Sequence, residues 1–390
     1  MDKKTDQKNS DIFKYTYWID NKVIFDSSKL KTLSESLEQF KDVDFKFLNS
    51  KLPPTRKSTP ETAVKHLQTA FNDGNLTLVL GAGISMKYGI PKWDELLQRL
   101  LLKTIEQKPD KAVALSKFFS KIFNPTPIIA GRYLQTAFSD KKNLNQFEKE
   151  VRQALYQTFD ELEKSETVDE ILQFCAAPGN TPNLDSIISY NYDDIIESKL
   201  KNSLYEIPFQ TIYGQGINPD NKTLPIYHVH GYLPKIGIIG DENAITLGEH
   251  IYHKQYNNIY SWNNIVQINK FRDKTCLFIG TSLTDPNTRR LLDIANSQKR
   301  SNKFHYIFKK RPNENWISDQ IIDLLKENDD SRDKKMDEKE IKETVNFLIK
   351  MQNRFEEKDS ESLGVKTVWI DDFDVDIPKI LKKIRNQNVT

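Results

Sequence analysis

Four short clusters in this chain combine residue types that act on ligands: Gly81-Ala82-Gly83-Ile84-Ser85, Asn191-Tyr192-Asp193-Asp194, His228-Val229-His230-Gly231 and Gly280-Thr281-Ser282. The first can bring bare backbone close to a ligand, because glycine carries no side chain to hold the ligand away. Its N–H groups, with the N-terminus of a following helix, suit a pyrophosphate, while a tight structural corner is the plainer use of the same residues. A dinucleotide fingerprint G-x-G-x-x-G would place glycine three residues after Gly83, where this chain has Met86, so an ordinary dehydrogenase turn is not expected. In the second cluster Asn191 carries a donor and an acceptor on one rigid amide, suited to a ribose hydroxyl or a water, and it equally tolerates a strained turn. Asp193 or Asp194 can cap the helix that follows. In the third, His230 has a ring whose unperturbed pKa near 6.5 suits a general base at neutral pH. His228, two residues earlier, fits a buried, hydrogen-bonded ring; the pair could touch a metal, but no further ligands stand nearby. In the fourth, small hydroxyl residues beside Gly280 suit ribose hydroxyls, and Asp285-Pro286 caps and opens a helix.

Each cluster follows an apolar run, and those runs must position it. "LTLVL", "SIISY", "IYHVH", "TCLFIG", "FHYIF" and "VKTVWI" are short and apolar, as buried strands are, and they alternate with helical patterns. That alternation predicts an α/β fold, a Rossmann-like doubly wound parallel sheet, in which ligands lie beyond the carboxyl ends of the strands. Pro91 stands near the start of a helix whose apolar face is Trp93, Leu96, Leu97, Leu100 and Leu101, and helical patterns continue to about residue 175 as an inserted module. Before the sheet, "FKYTYWIDNKVIF" reads as a hairpin turning at Asp20-Asn21, and "KLPPTRKSTPET" has linker chemistry. The expected division is therefore an N-terminal appendage over residues 1–60, for assembly or partner contact, and a catalytic domain over 61–390. The mixed-charge run "KENDDSRDKKMDEKEIKET" reads as a solvated helix or loop.

Composition narrows the function classes. With 57 Lys and Arg against 55 Asp and Glu, the formal charge of the 390 residues is +2, so no global basic field calls for nucleic acid. The two cysteines, Cys175 and Cys276, make neither a disulfide framework nor a four-thiolate zinc site. With no leader-like or membrane-spanning apolar run, the chain reads as soluble and cytoplasmic.

Taken in order, G-A-G-I-S, N-Y-D, H-G and G-T-S-L resemble the sirtuin fold family of NAD-cleaving proteins, over residues 63 to 385. The resemblance implies that Gly81, Ala82, Gly83 and Ser85 meet the pyrophosphate of NAD and that Asn191 and Asp193 hold the nicotinamide ribose and amide. It further implies that His230 is the catalytic histidine, that Gly280, Thr281 and Ser282 contact the adenosine ribose, and that Trp93 is an aromatic lid over nicotinamide. A third glycine is not required in this family. Residues 231–275 contain no cysteine, so the zinc ribbon of the deacylating members is absent and no zinc is expected; the Phe-Gly-Glu segment of their acyl-lysine channel is also missing, with "LGEH" from Leu247 a partial echo. "GIPKW" together with "GTSLTDPNTRRLL" is similar to the bacterial sirtuin-like NAD hydrolases of anti-phage defence, which often act with a second protein such as a HerA-type ATPase. The expected activity is cleavage of NAD+, as substrate, to nicotinamide and ADP-ribose by a homo-oligomer with such a partner. An acyl-lysine deacylase and a non-catalytic NAD or ADP-ribose sensor are the alternatives.

Overall fold

The computed structural model describes residues 16–19, 22–25, 44–52, 54, 60–105, 109–123, 125–139, 145–176, 184–203, 207–220, 222–298, 304–327 and 337–386. Two compact units divide the chain: residues 1–55 with 312–358, and residues 56–311 with 359–390. In the first, β1 (Thr16–Ile19) and β2 (Lys22–Phe25) pair antiparallel with Ile19 opposite Lys22. That register leaves two residues for the connection. The expected turn at Asp20-Asn21, like most of the linker from 53 to 59, lies outside the described residues. Helices Phe45–Lys51 and Glu338–Ser362 meet in the same unit through the rings of Phe45 and Phe347, 5.6 Å apart.

The second unit is built on a seven-stranded, wholly parallel sheet. Its strands are β3 (Leu76–Leu80), β4 (Leu184–Ser189), β5 (Phe209–Ile212), β6 (Leu224–His228), β7 (Thr275–Ile279), β8 (His305–Lys310) and β9 (Val365–Ile370). They lie in the order β5-β6-β4-β3-β7-β8-β9. The α/β doubly wound reading therefore holds, and the physical reason is visible in β3 and β7, whose residues are all buried. A parallel strand is covered on both faces, so its sequence runs apolar without alternation.

Alternate residues of these strands feed separate cores. Leu76, Leu78 and Leu80 join Leu67 of helix Pro60–Asn72, Phe174 of helix Glu166–Cys175, and Ile377 and Leu381 of helix Phe373–Arg385. Val79, Cys276 and Phe278 join Phe271 of helix Trp262–Asp273 and Leu291 and Leu292 of helix Pro286–Gln298. Full burial of such a side chain contributes about 1.5–3 kcal/mol, so the sheet is the rigid plane on which loops can be held. Between β3 and β4 stand helices Trp93–Thr104, Pro109–Phe123, Pro127–Phe138, Gln146–Leu155 and Glu166–Cys175. Arg99 ties the first to the fourth through the carbonyl of Ala154 at 2.9 Å, as does the Lys103–Glu150 pair at 2.8 Å. The last of the five packs on the sheet beside Phe373–Arg385, where Arg385 meets Glu170 at 3.3 Å.

Two expectations need correction. The sheet has an edge strand, β5, that its sequence did not announce: "FQTI" is only four residues long and mostly half-buried, too short and mixed for a clear signal. His230 is not the last residue of its strand. β6 ends at His228, and the chain turns through Val229 and His230 after the Val229 N–H reaches Ser189 O at 3.1 Å.

Candidate active site at four adjacent strand ends

The strand order sets β6, β4, β3 and β7 side by side, so the loops that carry the four clusters emerge in one row at the carboxyl edge. The chain leaves central β3 toward β4, then returns past it to β7, and the crevice opens where that reversal occurs.

The β3 and β7 loops are knitted through glycine. Gly81 N–H donates to Ile279 O at 3.0 Å and Gly83 N–H to Gly280 O at 2.9 Å. A Cβ on Gly81 would stand 2.6 Å from Gly280 O, one on Gly83 would stand 2.7 Å from Gly280 Cα, and Gly280 itself has φ +72°. All three glycines are thus demanded by backbone contact, and the left-handed angle adds its own demand at Gly280. As expected, the helix after the loop starts near Pro91, several residues beyond the glycines. Two short 3-10 turns, Ala82–Ile84 and Met86–Tyr88, come first, and the α-helix begins at Trp93. Ile84 and Ser85 N–H groups are spent inside the first turn on Gly81 O and Ala82 O. What the loop offers a ligand is close backbone approach rather than a helix terminus. Farther along the β7 loop, Leu283 has φ +57° while staying buried, a conformation costing an L residue about 1–2 kcal/mol.

Asn191 joins this pair of loops to β4. Its amide nitrogen donates to Gly81 O and Ser85 Oγ, both at 3.1 Å, so its carbonyl oxygen is the group it can offer a hydroxyl or a water. Asp193 is 4% exposed, accepts from Ile195 N–H at 3.3 Å and is bonded to Ser85. Burial pushes its carboxyl up to about 6, with the Ser85 bond acting the other way. Asp194 occupies the cap position of helix Ile195–Lys201, yet its carboxylate receives Tyr156 O–H at 2.9 Å and Lys235 N–H at 3.2 Å. Of the two aspartates, Asp193 therefore serves the helix start.

His230 is 6% exposed, its ring edge-on to Tyr190 at 4.7 Å, and its Nε2 has no hydrogen-bond partner. Burial holds the ring below its ordinary pKa, against a weaker opposite pull from Asp285, so the imidazole is neutral at pH 7. Its carbonyl accepts from Thr246 N–H at 2.7 Å, Thr246 Oγ1 from Gln255 at 2.9 Å, and Gln255 Oε1 from Asn287 at 3.1 Å. A buried amide network thus fixes the third strand end to the helix after the fourth, and every link is satisfied. Asp285 begins that helix by accepting Thr288 N–H at 2.7 Å, and it also accepts Tyr252 O–H at 2.7 Å.

A cavity of about 500 Å³ is lined by Gly81, Ala82, Trp93, Asn191, His230, Gly280, Thr281 and Ser282. Gly83, Ser85 and Asp193 are not part of that lining: Gly83 packs on Gly280, Ser85 holds the Asn191 amide, and Asp193 is bonded to Ser85. Tyr190, Tyr252 and Asp285 line it as well. Asp285 stood out in the sequence only as a cap, and Tyr252 had no signal at all. Trp93 is half-buried at the rim, with its indole nitrogen unpartnered. His230 also lines a second cavity, of about 770 Å³, whose other walls include Lys254, Asn258 and Asn263. Among the described residues no group of three or more His, Cys, Asp and Glu could hold a metal ion, and no helix is long and apolar enough to cross a membrane.

The sequence has counterparts among known proteins. Residues 185–334 match the SIR2-like domain family. Over 329 residues, 83% of this chain, the sequence is 26% identical to the NAD(+) hydrolase ThsA of Enterococcus faecium, of which the match covers 58%. The chain thus spans little more than half the length of that relative. The span matched to the SIR2-like domain family contains the Asn191, His230 and Gly280 loops and leaves out the Gly81 loop.

Proposed function

We propose that this chain is an NAD+ hydrolase that breaks the bond between nicotinamide and ribose. The observation that carries the reading is His230: a neutral buried ring with an unpartnered nitrogen, on the wall of a cavity shared with Asn191 and the glycine-knitted loops. The name of the Enterococcus relative, an NAD(+) hydrolase, supports it. In this reading Gly81, Ala82, Gly83 and Ser85 shape the pyrophosphate end, and Gly280, Thr281 and Ser282 the adenosine ribose. Trp93 covers the nicotinamide, and Asp193, buried outside the cavity lining, supports the carboxamide end from behind Asn191. As the glycosidic bond lengthens, the electron pair leaves with nicotinamide and positive charge develops on the ribose. Asn191 Oδ1 orients the ribose hydroxyl or the water, and water attacks C1. His230 takes the proton, and ADP-ribose, nicotinamide and one proton result. A general base of this kind contributes about 10²- to 10⁴-fold. No zinc enters the reaction.

The setting follows from the family resemblance. We assign the chain to the cytoplasm, in anti-phage defence by NAD depletion, as a homo-oligomer working with a HerA-like ATPase and without direct nucleic-acid contact. Residues 1–60 form the appendage for that assembly, and 61–390 the catalytic domain with its helical insertion, although residues 312–358 of that stretch belong to the compact unit of residues 1–55. Deleting residues 1–55 is expected to change particle size by light scattering or to abolish partner binding; an unchanged size and unchanged binding would remove the assembly role.

The test is product analysis of NAD with the assembled protein and no acylated peptide. Nicotinamide and ADP-ribose should appear, and labelled water should leave its oxygen on ribose C1. His230→Ala should lose about 10²-fold or more in rate while NAD binding changes much less. A variant cleaving NAD at the parent rate would sink the assignment. One observation favours a second reading: the cavity on the other side of His230 could admit an acyl-lysine, as in a deacylase. Nicotinamide release strictly dependent on acylated peptide would support that enzyme, and tight NAD binding without any turnover would support a sensor.

A further inference from the structure

His228 is a buried ionisable group beside the site that the reaction above does not use. Its ring is 1% exposed, with Nε2 at 2.6 Å from Glu197 Oε1 and Nδ1 at 3.0 Å from the main-chain carbonyl of Asn191. Glu197 is 2% exposed, stands in the first turn of helix Ile195–Lys201, and its second oxygen has no partner. A carbonyl can only accept, so Nδ1 must carry a proton. An ionised carboxylate can only accept as well, and then Nε2 carries a second. We propose that His228, clamped as an imidazolium between Glu197 and the Asn191 carbonyl, is a positioning residue that fixes the Asn191 amide for the NAD-cleaving reaction, on whose reading its catalytic consequence rests.

The clamp completes the immobilisation of Asn191. Its side-chain nitrogen is already held by Gly81 O and Ser85 Oγ, and His228 holds its backbone carbonyl, which also accepts from Ser189 Oγ at 3.5 Å. The remaining free group is the side-chain oxygen, which therefore has one orientation. Burial alone would push the His228 ring down, but Glu197, the Asn191 carbonyl and Asp193 together more than offset this and hold it above its ordinary value. The other groups facing the pair are the Asp193 carboxyl, which also favours the charged ring, and the Tyr232 ring at 4.5 Å. The Cys175 thiol, pushed up to about 12 by burial with help from Glu197, stays protonated. Since both partners are sealed from water, removing either one leaves the other's charge uncompensated, so each stays ionised only while its partner is present.

The experiment uses the full chain, its six histidines labelled with ¹⁵N, and two variants, Glu197→Gln and His228→Gln. In the parent at neutral pH one histidine should show both ring nitrogens protonated, and in Glu197→Gln that signature should revert to a neutral ring protonated at Nδ1. This arm needs no enzymatic activity, so it stands even if the NAD reading fails. In the NAD assay both variants should lose about 10- to 100-fold in kcat, the scale of a slightly misplaced reacting group, with KM for NAD within about threefold. Glu197→Gln keeps the size and hydrogen-bonding capacity of the side chain and serves if His228→Gln does not fold. A parent spectrum in which no histidine is doubly protonated at neutral pH, or a folded Glu197→Gln with parent kcat, overturns the proposal.

Discussion

Asp193→Asn separates stability from function at the site. The Asp193 carboxyl is raised from an ordinary 3.8 to about 6, first by burial. An acid whose folded pKa is raised binds its proton more tightly in the native state. The native state is therefore favoured below about pH 4, and the cost of ionising the buried group grows as pH rises toward 6 and is complete above it. A shift of about two units at about 1.4 kcal/mol each gives a cost of up to about 3 kcal/mol at pH 7.5. That figure already includes the favourable pull of His228 on the charged form. Asparagine keeps an acceptor for Ile195 N–H without the charge. Thermal melts of parent and variant at pH 4.5, 6 and 7.5 should show the variant higher by a few degrees at pH 7.5, with the gap closing toward pH 4.5. NAD affinity or turnover should fall in the same variant if Asp193 supports the carboxamide end. A gap that is absent at pH 7.5, or constant across the series, would refute the electrostatic reasoning whatever happens to catalysis.

Asp185→Asn should behave with the opposite sign. Burial pushes the Asp185 carboxyl up, but Lys270 and Lys274, the latter at 2.8 Å, more than offset it and hold it below the ordinary range; the variant should melt lower at pH 7, the difference fading only as pH falls below 4. Gly280→Ala places a Cβ 2.8 Å from Ile84 N at φ +72°, so a loss of at least about 1–2 kcal/mol, read as a lower melting point, should come with weaker NAD binding than in His230→Ala. Asp285→Ala removes the Thr288 cap and the Tyr252 partner, at about 1–2 kcal/mol. It also removes the anion that raises His230, so the acid limb of kcat/KM should move to lower pH; an unmoved limb would separate Asp285 from the base.

The sequence by itself determined the sheet class and the four reactive clusters. Fully buried parallel strands must read as unbroken apolar runs, as "LTLVL" and "TCLFI" do, and glycine, Asn and Asp mark the turns that follow them because few other residues tolerate those angles or satisfy those N–H groups. It could not reveal the row in which β6, β4, β3 and β7 stand, since strand order depends on pairing between segments about one and two hundred residues apart, such as Leu78 with Ile187 and with Leu277. Only that order makes Gly81, Asn191, His230 and Gly280 neighbours. The fold alone also ended β6 at His228, turned the loop after β3 into 3-10 turns, and drew Tyr190, Tyr252 and Asp285 to the cavity. Charge states belonged to the tertiary structure too. Asp193 and His230 are shifted by desolvation and His228 by a partner in another element, and neither burial nor a partner across the sheet is written in local sequence.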